Sequence, residues 1–260
     1  HPRDENVLIV MLYSGPGLGI VLSGISVPLV LANLGQAAWP MGWAALAAIC
    51  APLSLAVVFG MSGHDRRDER RATPLNIKPM MPLLLGYGLF GSGYIAFMTF
   101  MIAFVRGEGG GLVEQATFWV VLGTAAMLSP YIWVSAMQRA EGGEAFAKIG
   151  SATLLGAALP LVGSSTFLTY GSAILFGGSF FAVVASTTSF VRRNLPPEEW
   201  SSAIALMTVA FSVGQIFGPA LSGYVTDLSG SLLGGLVLSA ALLALGVLFG
   251  RAQPGLRQLA

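Results

Sequence analysis

Eight stretches of this chain are apolar over enough residues to cross a lipid bilayer, and that repetition restricts the fold more than any other feature. They lie at 7–32, 39–61, 79–105, 114–137, 148–165, 168–191, 201–226 and 231–250. A helix needs about 20 apolar residues to span the roughly 30 Å hydrocarbon core. Transmembrane strands would be segments of about 10 residues with alternating polarity, and these runs are too long and too uniform for that. In lipid each backbone N–H and C=O must find its partner within the structure, so the runs are predicted to be helices. The expected fold class is all-α, a polytopic transmembrane helix bundle of eight spans.

Composition agrees. Of the 260 residues, 55% are hydrophobic and 10% charged, against about 25% charged in soluble domains. A soluble enzyme, a nucleic-acid binder and a disordered scaffold are all disfavoured. Glycine accounts for 34 residues, close to twice the usual share of about 7%, which suits closely packed membrane helices. The one cysteine, Cys50, excludes an internal disulfide framework and a cysteine-built metal site. The partners implied are the lipid bilayer and no nucleic acid.

The segment 148–191 tests the count. As one helix its 44 residues would measure about 66 Å at 1.5 Å per residue, more than twice the hydrocarbon thickness. Two crossings with a tight turn near Ser164, Ser165 and Thr166 fit. Basic residues give an independent check. If the spans alternate in direction, twelve of the thirteen Lys and Arg residues fall on one side, and Arg106 alone on the other. Basic residues in short loops stay cytoplasmic, so both ends of the chain are predicted to be cytoplasmic, in a cell inner membrane. Missing one crossing would scramble this asymmetry.

The polar interruption at 62–78, with HDRRDERR and then Thr73 and Pro74, separates two spans from six. It reads as a solvated cytoplasmic connector or as a basic patch against lipid headgroups. Trp39, Trp43 and Trp200 read as membrane-interface anchors.

Enzyme motifs fail on context. Gly86, Gly88 and Gly91 match a dinucleotide fingerprint literally, but that motif needs a strand before it and a soluble βαβ unit around it. His1 and His64 both lie outside the spans, and no nucleophile elbow occurs. No catalytic residue, metal site or cofactor is expected.

Two helices six crossings apart share a glycine-proline pattern. Gly15, Pro16 and Gly19 occur in the first, with Gly24 following; Gly214, Gly218, Pro219 and Gly223 occur in the seventh, with Gln215 among them. Glycines four apart place bare backbone on one face for close helix contact, and the proline bends the helix by removing a hydrogen bond. A packing role and a role in conformational change both fit.

Polar groups at membrane depth mark transport paths. The charged candidates, Glu114 and Asp227, sit at span ends on the Arg106 side. Tyr87, Gly91, Tyr94, Met98 and Met101 share one face of the third helix. Tyrosine joins ring stacking to a hydrogen-bonding tip, and the amide of Gln215 needs partners at that depth. Tyr87, Tyr94 and Gln215 are therefore candidates for a substrate path. They serve equally well as a helix-packing face.

The eight crossings, the charged loop after the second and the two glycine-proline steps together resemble the last two-thirds of a major facilitator superfamily transporter. More closely, the run GYGLFGSGY at 86–94 with Thr99-Phe100, the run GLGIVLSG at 17–24 and the Trp39–Trp43 spacing are similar to the bacterial YbfB/YjiJ-type branch. The resemblance implies that these are helices five to twelve of a twelve-helix fold. Residues 1–62 would end the N-terminal bundle, 63–78 would be the linker, and 79–260 would form the C-terminal six-helix bundle and tail. It implies a secondary transporter moving a small molecule by alternating access, ion-coupled, with a proton as the coupling candidate. As a fragment without the first four helices, the chain would not transport by itself. A non-transporting membrane assembly partner and an eight-helix membrane enzyme are the alternatives.

Overall fold

The computed structural model describes residues 2–60 and 75–256, with the side chains of 2–13 and 36 left aside. The HDRRDERR connector lies outside the described residues. Eight long helices follow in order: α1 Pro2–Leu34, α2 Trp39–Gly60, α3 Met81–Gly107, α4 Leu112–Arg139, α5 Glu144–Val162, α6 Thr166–Asn194, α7 Trp200–Ser229 and α8 Leu232–Arg251. No strand occurs among the described residues. All eight are long and apolar enough to cross a membrane, and each matches one of the predicted spans. Large apolar side chains cover the outside, with Phe59, Leu155, Phe167 and Ile216 all at least 60% exposed. Water would reject such a surface; lipid accepts it.

The turn between the fifth and sixth spans falls where length required it. α5 ends at Val162, and Ser165 caps α6, its Oγ accepting from the Leu168 N–H at 3.4 Å. At the neighbouring turn of the α3–α4 pair, Gly109 takes φ +87°, a conformation that favours glycine. The Gly110 N–H then returns to the Val105 carbonyl at 2.9 Å.

Helices with no hydrophobic drive between them are held by close backbone approach and by hydrogen bonds. α3 is gripped on two sides in this way. A Cβ on Gly86 would lie 2.8 Å from the Gly246 oxygen, and one on Gly93 would lie 2.8 Å from the Ser239 oxygen, so this side meets α8. Gly88 and Gly91 meet Ala210 and Phe211 on α7. Hydroxyls fasten both contacts: Ser92 donates to the Gly214 carbonyl at 2.9 Å, and Ser239 donates to the Gly93 carbonyl at 2.6 Å. The glycines that imitate a nucleotide motif are thus packing residues. α4, α5 and α6 use the same device, with Gly177 against the Leu122 backbone and Gly156 against the Phe176 backbone. Ser172 donates to Gly156 at 2.7 Å, and the Trp133 indole donates to Gly178 at 2.7 Å.

The ends of α3, α4, α5, α6 and α8 that carry Lys78, Arg139, Lys148, Arg192, Arg193 and Arg251 are tied to one another. Gln253 is 2% exposed. Its Oε1 accepts from the Leu83 N–H at 3.2 Å, its Nε2 donates to the Pro79 carbonyl at 2.9 Å, and its own carbonyl accepts from the Gly143 N–H at 2.9 Å. Arg193 donates to the carbonyls of Ala140 and Gln138, and the Asn194 Oδ1 accepts from the Leu256 N–H at 2.7 Å. These described basic residues therefore share one end, with Arg106 at the other.

α1 rests on α4, and α2 folds back on α1. The close approach does not use Gly15 or Gly19, neither of which has an atom within 4 Å of an added Cβ. It runs through Gly17, whose Cβ would lie 2.7 Å from the Gly123 oxygen, and through Gly24, 2.5 Å from the Trp119 Cβ. Spacing alone favoured the pair four apart, whereas the side of α1 turned to α4 carries the pair seven apart. Ser14 adds a bond to the Met127 carbonyl at 3.0 Å. Trp39 and Trp43 are more than 60% exposed, as suits interface anchors.

Candidate functional site: an aromatic lane between α3, α6 and α7

The helical repeat of α3 presents Tyr87, Phe90, Tyr94 and Phe97 toward α6 and α7. Their rings join those of the neighbouring helices in a series of near-parallel stacks. Tyr87 lies on Phe211 at 4.7 Å, Phe211 on Tyr94 at 5.3 Å, and Tyr94 on Phe180 at 5.8 Å. Phe180 continues to Phe176 at 5.5 Å, and Phe176 to Phe97 at 4.1 Å. All five stacks lie within 30° of parallel, the offset arrangement that aromatic quadrupoles favour.

Two of the sequence candidates meet here. The Gln215 Nε2 donates to the Tyr94 Oη at 2.7 Å. Pro219 belongs to the same helix, so no N–H at 219 can bond back to the carbonyl of Gln215. The side-chain pair leaves the Tyr94 hydroxyl proton and the Gln215 Oε1 lone pairs for a third group. It therefore offers one donor and one acceptor side by side. Both side chains are partly exposed, unlike Tyr87, which is 3% exposed.

The face that joined Tyr87, Gly91, Tyr94, Met98 and Met101 on the helical wheel is divided by its neighbours. Gly91 is pressed against the Phe211 carbonyl and Met101 is fully buried, while Tyr94 and Met98 stay partly open. Of the glycine-proline residues, Gly214 and Gly218 lie hard against the backbone of Gly88 and Ser92 on α3, with added Cβ atoms 2.0 Å and 2.2 Å from carbonyl oxygens. Gly223 approaches only the Phe100 ring, at 3.9 Å. Pro16 on α1 is exposed. Glu114 and Asp227 are exposed at the Arg106 end.

Tyr87 also forms a wall of a pocket of about 180 Å³ where α6 and α7 part, with Val184, Thr187, Thr188, Val191, Ile204, Met207 and Thr208 around it. These threonines escaped the sequence analysis. The available signal was Ser186-Thr187-Thr188-Ser189, four hydroxyls in succession inside an otherwise apolar span. Beyond the pocket, the Arg192 guanidinium lies 5.0 Å over the Trp200 ring, a cation–π contact.

A bundle of lipid-facing helices with an aromatic, sparsely polar lane inside is the build of a multi-pass membrane transporter. Over residues 1–251 the chain matches the family described as uncharacterised MFS-type transporter YbfB, and it belongs to that family of the major facilitator superfamily. Comparison with curated proteins and with solved structures finds no match. Membership makes the protein a transporter with a small-molecule substrate rather than an enzyme.

Proposed function

We propose that the α3/α6/α7 lane is the substrate path of an alternating-access transporter, with Tyr94 and Gln215 contacting the substrate and Tyr87 lining the way toward the basic end. The single observation carrying this is the Tyr94–Gln215 hydrogen bond of 2.7 Å, a partly open donor–acceptor pair at mid-span between stacked rings. In this reading residues 1–62 belong to one bundle and 79–260 to the other, joined by the linker 63–78. The basic end faces the cytoplasm of an inner membrane, as the Lys/Arg asymmetry implies. The face where Gly214 and Gly218 meet α3 lets the helices shift against each other without side-chain interlocking. Coupling to a proton gradient belongs to the same reading and rests on the family resemblance, since the buried polar side chains of the described residues include no carboxylate.

Accessibility tests the path. In a Cys50→Ser background, Ser212→Cys and Gln215→Cys are exposed to a membrane-impermeant maleimide in vesicles of both orientations. Labelling from both sides is the expected result, with Leu245→Cys, on the outer face, protected. Labelling from one side only would remove alternating access.

A further inference from the structure

The pocket beside Tyr87 has a hydrogen-bonding polarity that its residue types alone do not reveal. Threonine can donate or accept, and two of the three lining threonines, one on each helix, have their donors spent. The Thr187 hydroxyl donates to the Val184 carbonyl at 2.8 Å, and the Thr208 hydroxyl donates to the Ile204 carbonyl at 2.9 Å. Each bond turns the proton back along its own helix and leaves the oxygen lone pairs available. Thr187 on α6 and Thr208 on α7 thus bring acceptors to the same gap. The rest of the lining is Thr188 and the aliphatic or thioether side chains of Val184, Val191, Ile204 and Met207, together with Tyr87. Phe211 and Phe146 contact that ring at 4.7 Å and 6.2 Å and hold it in place.

Size narrows the ligand. Drug-sized ligands need about 300 Å³ or more, and an apolar cavity of about 150 Å³ takes benzene. At about 180 Å³ this pocket suits one ring system with a small polar group. We infer that the pocket between α6 and α7 is a subsite for a compact, uncharged aromatic ring bearing an N–H or O–H donor, which the Thr187 and Thr208 oxygens accept. This deepens the proposed substrate path and rests on it for its place in transport. The binding itself stands on the pocket alone.

The full chain in lipid nanodiscs is titrated with indole and with benzofuran, which has the same shape but an oxygen in place of the N–H. Empty nanodiscs supply the partitioning background. Saturable binding with indole favoured about five- to tenfold is expected, the worth of one neutral hydrogen bond. Thr208→Val and Thr187→Val should each lower that preference, and Thr208→Ser should keep it. Equal affinity for the two rings, or no saturable binding, overturns the proposal, and the comparison needs no variant to fold. The maleimide experiment reads the path independently: one-sided labelling beside an intact indole preference would remove the route and leave the subsite.

Discussion

α2 is as apolar as the other helices, yet it is held in a different way. Within its most apolar window α6 is 61% buried and α2 only 6%. α2 has one buried residue, Gly42, whose added Cβ would come no closer than 3.6 Å to Val27. In α3 to α8, and in α1 where Gly17 and Ser14 meet α4, glycines lie against carbonyl oxygens and serine hydroxyls cross between helices. Hydropathy therefore admits a helix to the bilayer but does not attach it to another helix, because lipid tails are as apolar as leucine. Attachment comes from missing side chains and from polar bonds.

That contrast can be broken first at its strongest contact. Gly214→Ala drives a methyl group into the Gly88 carbonyl, 2.0 Å away, and should cost about 3 kcal/mol, the upper end of the overpacking range. A fall in the detergent melting temperature would record it, whereas Gly15→Ala and Gly19→Ala should leave melting unchanged. Next comes the tie at the basic end. Gln253→Ala strands the Leu83 N–H and the Pro79 carbonyl, and should cost about 1–3 kcal/mol, seen as faster hydrogen exchange at the start of α3.

The hairpin should respond separately. Ser14→Cys paired with Met127→Cys should form a disulfide across the α1–α4 contact in a Cys50→Ser background. Adding Gly17→Leu and Gly24→Leu should abolish the cross-link while the melting of the remaining helices stays put. A shared collapse would show that the two regions are one cooperative unit. The smallest effect belongs to Ser92→Ala, which removes one interhelical hydrogen bond worth about 0.6 kcal/mol.

Much of the fold was legible because membrane insertion is read along the chain. The eight spans, the turn at Ser164–Ser165 and the common end of the described basic residues all follow from length, hydropathy and charge. The candidate site was legible only in part. Tyr94 and Gln215 stood out as polar groups at depth, and the structure joins them by a hydrogen bond. Thr187 and Thr208 did not stand out, since hydroxyls that bond back to their own helix are common in apolar spans. Gly17 and Gly24 were passed over for Gly15 and Gly19 because spacing ranks faces without knowing which one a neighbour will occupy.

Sequence by itself determined that this chain lives in lipid, how many times it crosses and which ends lie together, since each depends on the residue's own transfer energy and charge. Only the tertiary structure decided which glycines touch backbone, that Tyr87 is buried while Tyr94 is partly open, and that Thr187 and Thr208, with their donors spent within their own helices, line a shared pocket. Those properties belong to pairs of helices, and a one-dimensional pattern carries no information about the partner's facing surface.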